Sequence, residues 1–168
     1  EPMKPVTIHG RGGISRKGAE TGQASHYYSY TRLAATGRLT IGQDAFDVTG
    51  TGWMDHEFGS ADLGQDLIGW DWFSIQLADH SELMLYGLRR RDGSSDPVSS
   101  GTVVFPDGRT QHLLLGDFTI EATRSWTSAA SHATYPSRWR ISIPSLDLSL
   151  DVVPVLAEQE LRTSRSTQ

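Results

Sequence analysis

The residues best equipped for chemistry are concentrated between Trp53 and Trp72, in the stretch WMDHEFGSADLGQDLIGWDW. It holds Trp53, Trp70 and Trp72, three of the chain's five tryptophans, and the carboxylates Asp55, Glu57, Asp62, Asp66 and Asp71. Indole N–H groups and carboxylates each need a partner when buried, so this load exceeds what a packed core requires and points to a site. A carboxyl buried among indoles holds its proton near neutrality, because desolvation disfavours the charged form, and a general acid needs that property. Asp55 could then protonate an alkene, while the π faces of Trp53, Trp70, Trp72 or Tyr30 stabilise the carbocation until water adds. The competing reading makes Asp55 and Glu57 hydrogen-bonded anchors that close a barrel end, bonded to Arg32 or to indole N–H groups. The residues alone leave both open.

Other chemistries find less support. Asp55 and Glu57 could ligate a metal with a histidine, but His9, His26, His56, His80, His112 and His132 are scattered without paired spacing, so no metal is expected. Ser15 is not in a nucleophile elbow, which leaves only a Ser-His-Asp triad assembled in space. Gly10-Arg11-Gly12-Gly13 is not a phosphate loop, since Lys17 is followed by Gly18 and Ala19. No cofactor is expected. The absence of cysteine removes disulfides, thiol nucleophiles and Cys-based zinc sites. A net charge of −5, with Arg89, Arg90 and Arg91 as the single basic cluster, argues against nucleic acid as a partner. No apolar run approaches the roughly 18 residues of a membrane span, and any export signal would lie outside this sequence.

Period-two alternation defines the elements that must position these groups. In HYYSYTRLA, Tyr28, Tyr30 and Arg32 share one face and Tyr27, Ser29 and Thr31 the other. A hairpin follows, 38–41 and 45–51, turning at Gly42-Gln43-Asp44. Continued alternation groups Trp53, Asp55 and Glu57 against Met54, His56 and Phe58, with Gly50 and Gly52 as places where a bulge could flip the register. From 68 to 77, Trp70, Trp72, Ser74 and Gln76 oppose Asp71, Phe73, Ile75 and Leu77, as suits a barrel wall with a cavity on one side. The loop 59–65 should rim that cavity. Further strands follow at 82–88, 102–105, 110–115, around Phe118 to Ala122, around Trp139 to Ile143, and from 146 to 152. No stretch shows a helical apolar period, so the fold is all-β and antiparallel.

Five segments resemble, in order and spacing, the second half of the AttH-like proteins, a family related to the carotenoid 1,2-hydratases: HYYSYTRL (26–33), WMDHEFG (53–59), GWDWFSIQL (69–77), ELMLYGLRR (82–90) and SSGT (99–102). The resemblance implies two consecutive lipocalin-like β-barrels. Residues 1–25 would be the end of a preceding domain and a linker, with one short strand near Val6 to His9. Residues 26–156 would form the lipocalin-like barrel, and 157–168 a polar tail or a truncated C-terminal strand. If the chain is a fragment, the barrel is incomplete, with an open seam near its C-terminal strand. In the hydratases an aspartate two residues after an aromatic is the proposed acid, and Trp53 with Asp55 matches that pattern. Where the hydratases use a His and a Trp two residues apart, this sequence has Tyr28 and Tyr30. Distant fungal relatives catalyse cyclisations on the same fold.

The candidate catalytic residues are therefore Asp55, Glu57 and Tyr30, with Tyr28, Trp53, Trp70, Trp72 and Arg32 as candidate substrate contacts. The resemblance implies a hydro-lyase or cyclase acting on an apolar polyene or terpenoid-type molecule, periplasmic or secreted, with the first lipocalin-like domain of the same protein as partner. The alternative is a non-catalytic carrier of a hydrophobic small molecule.

Overall fold

The computed structural model describes residues 1–18, 20, 22–59 and 66–161, which form two compact units, Glu1–Leu115 and Gly116–Gln168. The first contains β1 (Thr7–Ile8), β2 (Ile14–Arg16), β3 (Ala24–Ile41), β4 (Asp44–Phe58), β5 (Leu67–Gln76), β6 (Glu82–Arg90), β7 (Ser100–Val104) and β8 (Thr110–Leu114). All pairing is antiparallel, in two sheets: β3 carries β1 and β2 along one edge and β4 along the other, and β5-β6-β7-β8 form the second. Among the described residues no ladder joins β4 to β5, so the barrel is not closed.

The aromatic and β-branched run from Tyr27 to Thr31 lies in an 18-residue strand that continues into the hairpin turned at Gly42-Gln43, where Ile41 pairs with Asp44. One extra residue in β3 disturbs the ladder: Tyr30 pairs with Met54 and Leu33 with Gly52, so Thr31 and Arg32 together oppose Trp53. This bulge turns both inward, and both are buried. Arg32 therefore leaves the face expected to hold it with Tyr28 and Tyr30. Gln76 of β5 answers the bulge, donating to the carbonyls of Thr31 at 2.8 Å and Gly52 at 3.0 Å. Beyond it the ribbon is exposed, with Leu39, Ile41, Phe46 and Val48 on one side.

Parts of the segment 1–25 are paired with β3, as β1 and β2. β1 lies inside the short strand expected near Val6 to His9, and Thr7, His9 and Ser15 are buried against the sheets. In the second sheet the alternation holds: Trp70, Trp72 and Gln76 sit opposite Leu88, Tyr86 and Glu82, while Phe73 and Ile75 pair with Leu85 and Leu83. Gly101 permits the close approach of β6 and β7, since a Cβ there would fall 2.4 Å from Leu85 Cδ2.

One ion cluster ties the two sheets. Glu82, fully buried, accepts from Lys4 Nζ at 2.7 Å, Arg32 Nε at 2.6 Å and Thr31 Oγ1 at 3.3 Å. Its cations also reach strand ends, Arg32 donating to the Leu77 carbonyl and Lys4 to those of His80 and Phe105.

The second unit is a meander of β9 (Thr119–Thr127), β10 (Thr134–Ile143) and β11 (Leu148–Val152) around Phe118, Ile141 and Ile143. Pro144–Leu146 form a 3₁₀ turn closed by Asp147 in the left-handed region, so β11 starts two residues later than the alternation suggests. Of the segment read as a polar tail, Glu160 is anchored by the hydroxyls of Ser128, Ser131 and Tyr135.

Removing the charge of Glu82 would leave Lys4 and Arg32 buried without a counter-ion. Glu82→Gln should lower unfolding stability by about 3–5 kcal/mol in urea titration, whereas Asp107→Asn, which breaks the exposed Arg109 pair, should leave the curve unchanged.

Candidate functional site

A concavity of about 370 Å³ lies between the two sheets of the first unit. Its floor is Tyr27, Tyr86 and Leu88, which form one buried cluster with Met84, and Trp53 packs against that cluster from the side. Trp70 and Trp72, two residues apart on β5, make the wall, being 56% and 40% exposed. Phe58 and Gly59 line the end of β4.

Polar groups enter from two sides. Glu57 faces into the concavity beside Lys17, whose Nζ is 2.6 Å from Glu57 Oε1, and Ser25 Oγ donates to the same oxygen. Lys17 is held over the Tyr86 ring, 4.4 Å from its centre, so its charge is shared between a carboxylate and a π face. On the other side the Tyr27 hydroxyl accepts from Trp72 Nε1 at 3.1 Å and donates to Asp55 Oδ1 at 3.0 Å. That carboxylate oxygen also accepts from Ser29 Oγ and from Trp53 Nε1 at 2.8 Å.

The chain of hydrogen bonds continues behind Asp55. Ser29 gives its one proton to Asp55, so His9 Nε2–H donates to Ser29 Oγ at 2.7 Å, and His9 Nδ1 accepts from the Thr102 hydroxyl at 2.9 Å. Burial, opposed by the charges of Asp55 and Glu57, lowers the pKa of His9 to about 4, so the ring is neutral at pH 7. Serine, histidine and aspartate do meet, but the serine lies between the other two. Its proton goes to the carboxylate rather than to an imidazole base, so this is not a hydrolase triad. Burial first, and then the charge of Asp55, push the Tyr27 phenol well above its ordinary value, which keeps its proton in place at every physiological pH.

Of the expected site residues, Glu57, Trp70 and Trp72 line the concavity, and Trp53 and Asp55 adjoin it through Tyr27. Asp55 is exposed rather than buried among indoles, and it meets one indole directly. Tyr28 and Tyr30 are not brought to it. They pair with His56 and Met54 on the opposite face of the hairpin, where Tyr28 stacks on His56 at 5.1 Å. Arg32 serves Glu82, away from Asp55. Of the loop expected to rim the cavity, Gly59 does line it, and 60–65 lie outside the described residues. Among the described residues no group of three or more His, Asp or Glu gathers to hold a metal ion.

Sequence reasoning missed Tyr27, Ser25, Ser29, His9, Lys17 and Tyr86. For Tyr27 and Ser29 half of a signal existed, because they share a face of β3; the register Tyr27 to Glu57 and Ser29 to Asp55, which puts that face on the carboxylates, is seen only in the fold. His9 and Lys17 come from a Gly/Pro-rich stretch without any pattern to place them.

The sequence model of a family described as AttH-like matches residues 1–166. A candidate AttH from Nitrosomonas europaea superposes with a TM-score of 0.88 at 32% identity, over 95% of this chain and 49% of its own. Kievitone hydratase from Nectria haematococca shares the fold, with a TM-score of 0.63 at 18% identity, over 83% of this chain and 42% of its own. The chain thus spans about half the length of these structural relatives. No curated protein matches it.

The neutral His9 has a consequence for stability. Its folded pKa lies below the unfolded value of 6.5, so the unfolded state binds more protons between about pH 6.5 and 4. Stability should be full above pH 6.5 and fall on the order of 3 kcal/mol as the pH drops to 4. His9→Gln should flatten that part of the stability–pH curve, measured by urea denaturation across the window.

Proposed function

The chain belongs to the AttH-like family, and from that membership and the pocket around Tyr27 we propose that it takes up an apolar polyene or terpenoid-type molecule and adds water to it, or cyclises it, with acid assistance. One observation carries the reading: in an aromatic pocket, the Tyr27 hydroxyl bridges the Asp55 carboxyl group and the Trp72 indole. A phenol kept protonated, with a carboxyl group behind it, is the pair that a proton transfer to carbon needs.

In this reading the double bond lies against Trp70, Trp72 and Tyr86. Asp55 takes up a proton from solvent, its hydrogen bond with Tyr27 reverses, and it gives that proton to the Tyr27 oxygen as the Tyr27 proton passes to an alkene carbon, so the phenol is neutral before and after. The carbocation is stabilised by the indole and phenol faces. Water adds to it, Glu57 takes the proton that water releases, and solvent restores the balance between Glu57 and Asp55. One water enters the product per turnover. In cyclisation a second double bond of the same molecule takes the place of water. The hydratase named among the fold neighbours fits the first course. The reading includes a first lipocalin-like domain of the same protein as partner.

A carrier without chemistry is the second reading, favoured by one specific feature. Asp55 and both wall tryptophans are exposed, so the pocket as it stands does not exclude water.

Asp55→Asn and Tyr27→Phe each keep the shape and remove one link of the proton path. Assayed on an apolar polyene by mass spectrometry for addition of one water, each should lose on the order of 10²-fold or more in rate while still binding the ligand. A protein that binds the polyene equally well in all three forms and never yields product would be a carrier. Full activity in Asp55→Asn would remove Asp55 from the mechanism.

A further inference from the structure

The meander of residues 116–161 carries a concave surface of its own. At its polar end Arg124, Arg138 and Arg140 line a hollow of about 270 Å³ with a single acidic residue, Asp151. Asp151 is engaged by Arg140, Nε to Oδ1 at 3.2 Å. Among the described residues neither the Arg124 nor the Arg138 side chain has an ion-pair or hydrogen-bond partner, yet the two are direct cross-strand neighbours. Like charges placed opposite each other destabilise a ladder, so this pair costs the free protein stability that an anion between the guanidinium groups would return. Register shifts fall on both sides of Arg138, and bulges of this kind re-aim side chains.

The other end is apolar. A groove of about 500 Å³ runs past Trp126 and Tyr135, whose rings stack at 6.2 Å and 23°. Trp139 and Val153 line both this groove and the arginine hollow, so the two are continuous through the indole. The carboxylate at the groove, Glu160, is occupied by the hydroxyls of Ser128, Ser131 and Tyr135.

We propose that this surface binds an amphipathic anion: an oxyanion head between Arg124 and Arg138, with an apolar tail lying along Trp139 into the Trp126–Tyr135 groove. The planar guanidinium fork suits both carboxylate and phosphate heads, and the aromatic floor supplies the affinity that a surface arginine pair lacks by itself. The site is independent of the Tyr27 pocket and of any reaction there.

Isothermal titration of the full chain with dodecanoate, dodecyl phosphate, dodecanol and inorganic phosphate tests this. The anionic amphiphiles should bind at least about tenfold more tightly than dodecanol or phosphate alone, and whichever binds better identifies the head group. Arg124→Gln and Arg138→Gln should each weaken that binding roughly tenfold or more, since a charge-assisted hydrogen bond is lost. The melting temperature of either ligand-free variant should stay level or rise as the repulsion is relieved. Trp139→Ala should weaken the amphiphile and leave phosphate unaffected. Equal affinity for dodecanol and dodecanoate, wild-type affinity in both arginine variants, or an affinity that falls with Lys17→Gln instead would each overturn the proposal.

Discussion

The burial of Glu82 is the constraint on which the first unit depends. A carboxylate with no exposed surface is expensive to desolvate, and it is tolerated here because two cations and a hydroxyl converge on it. Those partners come from two places far from β6 in the chain: the N-terminal segment at Lys4 and the β3 bulge at Thr31 and Arg32. The same cations close the carbonyl ends at Leu77, His80 and Phe105. Holding the bulge against β6 fixes which face of β3 looks at the second sheet. Tyr27, Ser29 and the pocket follow from that choice.

A line of hydrogen bonds crosses the space between the sheets, from Thr102 through His9, Ser29, Asp55 and Tyr27 to Trp72. Each member is satisfied by the next, which is how so many polar groups share the edge of an apolar cluster. The line has a direction as well. The neutral imidazole and the two hydroxyls set Asp55 as the common acceptor, and the phenol connects that acceptor to the aromatic pocket. The Glu57–Lys17 pair supplies the second polar side, so an apolar molecule lying on Trp70 and Trp72 would have a proton donor and an acceptor within the same walls.

Where side chains alternate without interruption, the sequence was sufficient. The all-β class, the two faces of β5 and the grouping of Trp53, Asp55 and Glu57 follow from a period of two, and the motifs around them carried the AttH-like resemblance that the family match bears out. Tyr28, Tyr30 and Arg32 show the limit. The bulge at Thr31 and Arg32 redirects one of the three, and the choice of face for the other two depends on a cross-strand register that no local pattern encodes. The tyrosine that reaches the pocket is Tyr27, one position away, because a one-residue difference in a strand is a change of face. His9, Lys17 and the exposure of Asp55 were not legible, since each depends on contacts between segments remote in sequence.

The central claim is that the working face of the β3–β4 pair is the one bearing Tyr27, Asp55 and Glu57, not the one bearing Tyr28 and His56. A crystal structure of the protein with a bound terpenoid-type alkene tests this most directly. The account predicts density for the ligand against Trp70, Trp72 and Tyr86, with a double bond in reach of the Tyr27 hydroxyl. Density instead over the stacked Tyr28 and His56 rings would contradict it.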